Sequence, residues 1–219
     1  VRAVIFDLDG TLVDTVYGHV FAWMRAFHDA QMDIDGWRIH RRIGMSGGLF
    51  ARAVARELGR SLTDAQFADL EQSHARYFAE FLPYRQPLPG AVELLRTLRD
   101  NGVIYGIATS GRRPDIDESL RVLGIGDDVV VVQRGDVARA KPEPDLFLAC
   151  QGRLGVSLSE CYVVGDAVWD LLAARRAGIL SIGLLSGGYG QDELFRAGAF
   201  RVFRDPADLA SSLHELGLW

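Results

Sequence analysis

Lysine is almost missing from this chain, and so are cysteine, long apolar runs and any surplus of positive charge. Of the 24 basic residues only Lys141 is a lysine; the rest are arginines. The two cysteines, Cys150 and Cys161, exclude a disulfide framework and a Cys/His metal site. No apolar stretch reaches transmembrane length, which speaks against a membrane span. A formal net charge of -5 excludes the basic footprint of generic nucleic-acid binding. The sequence enters its first apolar run at once, so no signal peptide is expected, and its start at Val1 rather than Met suggests that a short piece precedes it. The expectation is a soluble, cytoplasmic protein; nothing in the sequence sets its oligomeric state.

What is present is globular. At 219 residues, 48% hydrophobic and 24% charged, the chain suits one large domain or a domain with a smaller insertion. Ala3-Val4-Ile5-Phe6 is a short, β-branched apolar run that reads as a buried strand. It delivers the chain into Asp7-Leu8-Asp9-Gly10-Thr11, with two carboxylates at a strand tip. Like charges so placed repel and raise each other's pKa, which suggests a cation or reacting centre between them.

From Thr15 to Phe81 the pattern is helical. Val20, Trp23, Met24 and Phe27 form an amphipathic stripe, a second helix runs from about Leu49 to Leu58, and Thr63 with Gln66 makes a capping box. That third helix is expected to turn Phe67, Leu70, His74, Tyr77, Phe78 and Phe81 inward. After Gly90 strands and helices alternate, with helices opening at Val92, Pro114, Pro144, Ala167, Asp192 and Pro206. Such alternation implies an α/β fold, a Rossmann-like parallel sheet core with helices on both faces. Residues 1–14 and 86–219 are the expected core, and 15–85 an all-helical insertion. Lying directly after the strand tip, it would form a lid over it.

Ligands of open parallel sheets bind at the carboxyl ends of the strands. There the apolar runs deliver Asp7 and Asp9, then Thr109-Ser110-Gly111, then Lys141-Pro142, then Gly165-Asp166 with Asp170 four residues on. Singly, each has an ordinary reading: Asp-Gly is a common turn pair, and acids suit helix starts. Each after its own strand, they read as one site. The lone lysine strengthens this, because Arg replaces Lys on a solvated surface but not where a compact point charge is needed.

These residues resemble the haloacid dehalogenase superfamily, and the resemblance extends over the whole chain. Its four motifs are similar to Asp7-Leu8-Asp9-Gly10-Thr11, Thr109, Lys141 and Gly165-Asp166-Ala167-Val168-Trp169-Asp170, and the insertion resembles the family's small cap. Phosphoglycolate phosphatases and β-phosphoglucomutases are the most similar members; Asp9 disfavours dehalogenase chemistry. The resemblance implies Mg²⁺-dependent hydrolysis of a small phosphorylated metabolite through an aspartyl-phosphate on Asp7, with Asp9 as general acid and base. It implies phosphate binding by Thr109, Ser110 and Lys141. Asp7, Asp166, the Asp9 backbone carbonyl and Asp170, as ligand or supporting partner, would serve the metal.

The insertion should choose the substrate. His19 resembles a cap histidine of β-phosphoglucomutase. Arg38, His40, Arg41 and Arg42 form a basic knot that could grip a second anionic group or merely be solvated. Phosphosugar mutase activity is one alternative, although Gly47 stands where the mutases carry a cap arginine. A non-catalytic phospho-acceptor of the response-regulator type is another; Asp9 and the insertion speak against it. Ser186 to Gly190 lacks a dinucleotide fingerprint and reads as a turn.

Overall fold

A computed structural model describes residues 2–218. Val1 and Trp219, the two ends of the expected core, lie outside the described residues. Six strands, β1 (Ala3–Phe6), β2 (Ile104–Ala108), β3 (Val130–Val132), β4 (Cys161–Gly165), β5 (Leu180–Leu184) and β6 (Ala199–Phe203), form one sheet. The order is β3-β2-β1-β4-β5-β6 and every pairing is parallel. β1 is buried along its whole length because both of its faces are covered. Val4 and Phe6 join a core containing Leu94 and Leu98 of α5 (Ala91–Asp100) and Leu209 of α10 (Pro206–Ser211). Ala3 and Ile5 join the opposite core, with Phe147 of α7 (Asp145–Leu154) and Ala173 of α8 (Val168–Ala177). Two further helices, α6 (Asp117–Val122) and α9 (Gln191–Ala197), complete the sheet domain. The crossovers diverge on either side of β1, so the crevice for a ligand opens at its carboxyl end.

Between Asp14 and Gln86 the chain makes α1 (Val16–Asp29), α2 (Gly36–His40), α3 (Gly47–Glu57) and α4 (Asp64–Phe81). Entry and exit segments pair with each other, Asp14 N donating to Gln86 O at 2.9 Å and Leu88 N to Leu12 O at 2.9 Å. The helices have an apolar core of their own around Trp23, Phe27, Phe50, Val54 and Leu70. Their amphipathic faces therefore have one another to bury against.

The expected capping box at Thr63 and Gln66 is present. Several local expectations need correction. Five-residue α2 is too short to show a helical period. At Pro114 the chain first makes a tight turn, Asp117 N donating to Pro114 O at 3.0 Å, so α6 starts later. Met24 and Phe81 face outward, 36% and 44% exposed, and line a surface groove with Phe21 and Leu58. α10 stops at Ser211 and a separate 3-10 turn covers 213–216. Among the described residues no helix is long and apolar enough to cross a membrane.

Candidate active site

Asp7 leaves the end of β1, Asp166 leaves β4, Asp170 lies in the first turn of α8, and Lys141 follows β3. Lys141 is wholly buried, and its ammonium hydrogen-bonds Asp7. The same ammonium lies 2.9 Å from Asp170 Oδ1, a charge contact without hydrogen-bond alignment, so that buried oxygen has no hydrogen bond of its own. Asp170 Oδ2 accepts from Ala167 N at 3.0 Å and so caps its own helix. Thr11 Oγ1 donates to Asp166 Oδ1 at 2.6 Å. One carboxylate oxygen each from Asp7, Asp166 and Asp170 falls within 4.8 Å of the others.

Three buried acids face one ammonium. Burial pushes Asp7 up to about 7; Lys141 opposes the shift, while Asp170 and Asp9 add to it. Burial, then Asp170 and Asp7, hold Asp166 well above the usual carboxylate range. Burial alone would weaken Lys141 as a base, but Asp170 and Asp7 outweigh it and keep the ammonium charged. The cluster is short of positive charge, and its donors are all oxygen. That chemistry fits a hard divalent cation. The backbone closes tightly around Asp166: a Cβ on Gly10, which has φ +83, or on Gly187 would collide with its carboxylate. Ser186 Oγ donates to Gly10 O at 2.6 Å. The stretch expected to be a plain turn is thus a wall of the site.

Asp9 points elsewhere. Its Oδ1 accepts from Thr15 Oγ1 at 2.7 Å and lies 3.3 Å from His19 Nε2. His19 Nδ1 lies 3.1 Å from His74 Nε2, and His19 stacks on Phe78 at 3.9 Å between ring centres. Burial would raise Asp9, but His19 and Thr15 outweigh it and bring the carboxyl below its ordinary value. Two carboxyls two residues apart are thereby pushed in opposite directions.

A cavity of about 370 Å³ runs from Asp7, Asp9, Thr109 and Ser110 of the sheet domain to His19 and Trp23 of the helices. Thr109 is buried, its Oγ1 accepting from Gly111 N at 2.9 Å. The helices are docked on the sheet domain by polar contacts: Ser110 Oγ to Gly44 O (3.2 Å), Ser46 N to Lys141 O (3.2 Å), and Trp169 Nε1 to Arg41 O (3.1 Å).

The family model for haloacid dehalogenase-like hydrolases matches residues 1–178. The chain belongs to this family. Among related haloacid dehalogenase-like proteins, the phosphoglycolate phosphatase of Rhodospirillum rubrum is 34% identical, over 97% of this chain and 90% of its own. The β-phosphoglucomutase of Bacillus subtilis is 32% identical, over 98% of this chain and 94% of its own. A hydrolase structure from Pseudomonas syringae is 46% identical, covers 99% of both chains and superposes with a TM-score of 0.95.

In this hydrolase the residues picked out in the sequence are brought together, with two qualifications. The Asp9 side chain turns to Thr15 and His19 rather than to the other acids, so its carboxylate is not part of the acidic cluster. Arg42 lines the cavity, but its guanidinium pairs with Glu57 and donates to Arg38 O at 2.8 Å. Thr15, His74 and Glu71 were not singled out. Thr15 lies one helical turn before His19, a spacing that could have drawn attention to it; His74 and Glu71 come from α4 and meet the site only through tertiary packing.

Proposed function

We propose that the chain is a Mg²⁺-dependent phosphatase of small organic phosphate monoesters, with residues 15–85 acting as a cap that covers the site. The meeting of Asp7, Asp166, Asp170 and Lys141 at the sheet's crevice carries this reading, because an oxygen-only cluster lacking positive charge is suited to a divalent cation. Asp7, Asp166 and the Asp9 carbonyl would hold the ion, with Asp170 supporting through Lys141. When bound, the ion neutralises and clamps a phosphate oxygen. Without that charge, a carboxylate nearing a phosphate meets about 4 kcal/mol of repulsion per charge pair at 4 Å.

Asp7 attacks phosphorus; the new O–P bond forms as the ester P–O bond breaks, leaving an aspartyl-phosphate. Asp9, taking up a proton as the anionic phosphate binds beside it, gives that proton to the departing alkoxide. It then takes one from the water whose oxygen attacks phosphorus, freeing Asp7 and inorganic phosphate. Thr15 and His19 orient Asp9 for both transfers. Thr109, Ser110 and Lys141 hold the transferring oxygens where charge builds. The two unpaired, buried cysteines support a reducing, cytoplasmic setting.

The mutase alternative draws on the β-phosphoglucomutase relative. Gly47 and the engaged guanidinium of Arg42 weigh against it, since neither offers a second phosphate a free cation. A phospho-acceptor switch gains nothing from the Thr15 and His19 partners of Asp9. The test is hydrolysis of an aryl phosphate by the purified chain with Mg²⁺. Turnover is expected in the wild type and a loss on the order of 10⁴-fold in Asp7→Asn, which stays folded because one repelling acid is removed. Retained turnover in that variant removes Asp7 as nucleophile.

A further inference from the structure

The cap wall of the cavity has an unusual charge inventory. Arg42 is the one arginine of the cap that lines the cavity, and Glu57 already neutralises it. Arg41 likewise pairs with Glu193 at the seam with the sheet domain. Glu71 of α4 also lines the cavity, yet among the described residues no cation or hydrogen-bond donor pairs with it. Its Oε1 stands opposite Gly47, where even an added Cβ would be only at contact distance, 3.6 Å. Gly48 leaves similar room before the Phe67 ring. His74, next along the wall, is kept neutral by burial and by His19. The floor is aromatic, formed by Trp23, Phe50 and Phe67.

The sheet domain supplies Arg112 and Arg134 to the cavity. Arg134 is tied to carbonyls, Val137 O at 2.7 Å and Ala138 O at 3.4 Å, and Arg112 stands two residues past Ser110 on the same loop. Among the described residues the cavity's arginine whose side chain has no partner is therefore Arg112, on the sheet side, where the phosphate would sit. The cap side offers one unpaired carboxylate, neutral hydrogen-bonding groups and apolar ring faces. About 370 Å³ is at the small end of ligand cavities and suits an alcohol of monosaccharide size.

We infer that the alcohol half of the substrate is a non-anionic, hydrogen-bond-donating group of monosaccharide size, read by Glu71, and that esters carrying a carboxylate or second phosphate are rejected. The inference rests on the phosphatase reading above. Glu71 accepts a hydrogen bond from a hydroxyl or an ammonium, while the aromatic floor packs the ring's C–H face. A carboxylate in the same place meets a like charge, and the neighbouring Arg42 is already neutralised by Glu57. This sets the chain apart from its phosphoglycolate phosphatase relative despite their similarity.

The test compares kcat/KM, with Mg²⁺, for p-nitrophenyl phosphate, glucose 6-phosphate, glucosamine 6-phosphate, phosphoglycolate and fructose 1,6-bisphosphate. Both sugar monophosphates should exceed phosphoglycolate and the bisphosphate by at least about tenfold, equivalent to about 1.4 kcal/mol. An advantage for the amino sugar assigns an ammonium to Glu71, and parity assigns a hydroxyl; both uphold the inference. Glu71→Gln should narrow the sugar-to-phosphoglycolate ratio and Glu71→Lys should invert it. If a variant does not fold, the wild-type order alone decides. Turnover of p-nitrophenyl phosphate with phosphoglycolate preferred, or with a ratio that neither folded variant moves, overturns the inference and leaves the phosphatase reading standing. No turnover of any of the five overturns both.

Discussion

At the carboxyl end of the sheet three carboxylates and an ammonium are buried together, whereas helices α1 to α4 carry many of their charges in pairs at the surface. Arg38 with Asp35 and Glu57, Arg52 with Asp64, and His28 with Asp33 all keep substantial exposure. Exposed pairs of this kind contribute about 0–1 kcal/mol each. These helices must then be held by their apolar core around Trp23 and Phe50. The buried cluster works the other way, since desolvating charges can exceed what their attraction returns. A chain that keeps such a cluster, with Asp7 and Asp166 both reluctant to ionise, is organised around something that binds there.

That contrast can be broken by substitution. Lys141→Met strips the buried acids of their only ammonium and should destabilise the chain by about 3–5 kcal/mol in urea unfolding. The matched cap change, Arg52→Met, should alter stability by no more than about 1 kcal/mol. Equal effects would erase the distinction between the two regions. Lys141→Arg keeps the charge but must fit a larger, planar group into a wholly buried place. Its kcat on an aryl phosphate should fall about 10²-fold, and a near-normal rate would dismiss the argument from the single lysine.

A smaller effect tests the cap side. Burial and His19 hold the His74 imidazole well below 6.5 when folded. The unfolded chain therefore binds more protons once the pH drops below that value, and stability falls toward acid. Comparing urea midpoints at about pH 7.5 and about pH 5.5 should show a shallower loss in His74→Gln than in the wild type. An unchanged slope would mean that His74 takes up its proton without hindrance in the fold.

Much of this was legible before any coordinates. A buried parallel strand must be apolar on both faces, so β1 announced itself and the acids after it fell at its tip. The lone lysine marked a position set apart from the arginine-rich surface, and it is wholly buried between two acids. Partnerships across the chain were not legible. His74 obeys the helical period of α4 and so passed for a core residue, yet it meets His19 of another helix. The Arg41 and Arg42 pairs with Glu193 and Glu57 depend on how the cap seats and turns. Ser186 passed for part of a turn because its bond to Gly10 joins opposite ends of the sequence.

The central claim is that Asp7 and Asp166, supported by Asp170, are arranged to hold a divalent cation, and thermal unfolding of metal-free protein tests it most directly. A cation at 100 times its Kd adds about 2.7 kcal/mol, so Mg²⁺ should raise the midpoint of the wild type by about 5 °C or more. Asp166→Asn should lose that rise. A wild-type midpoint that no divalent cation moves would contradict the account.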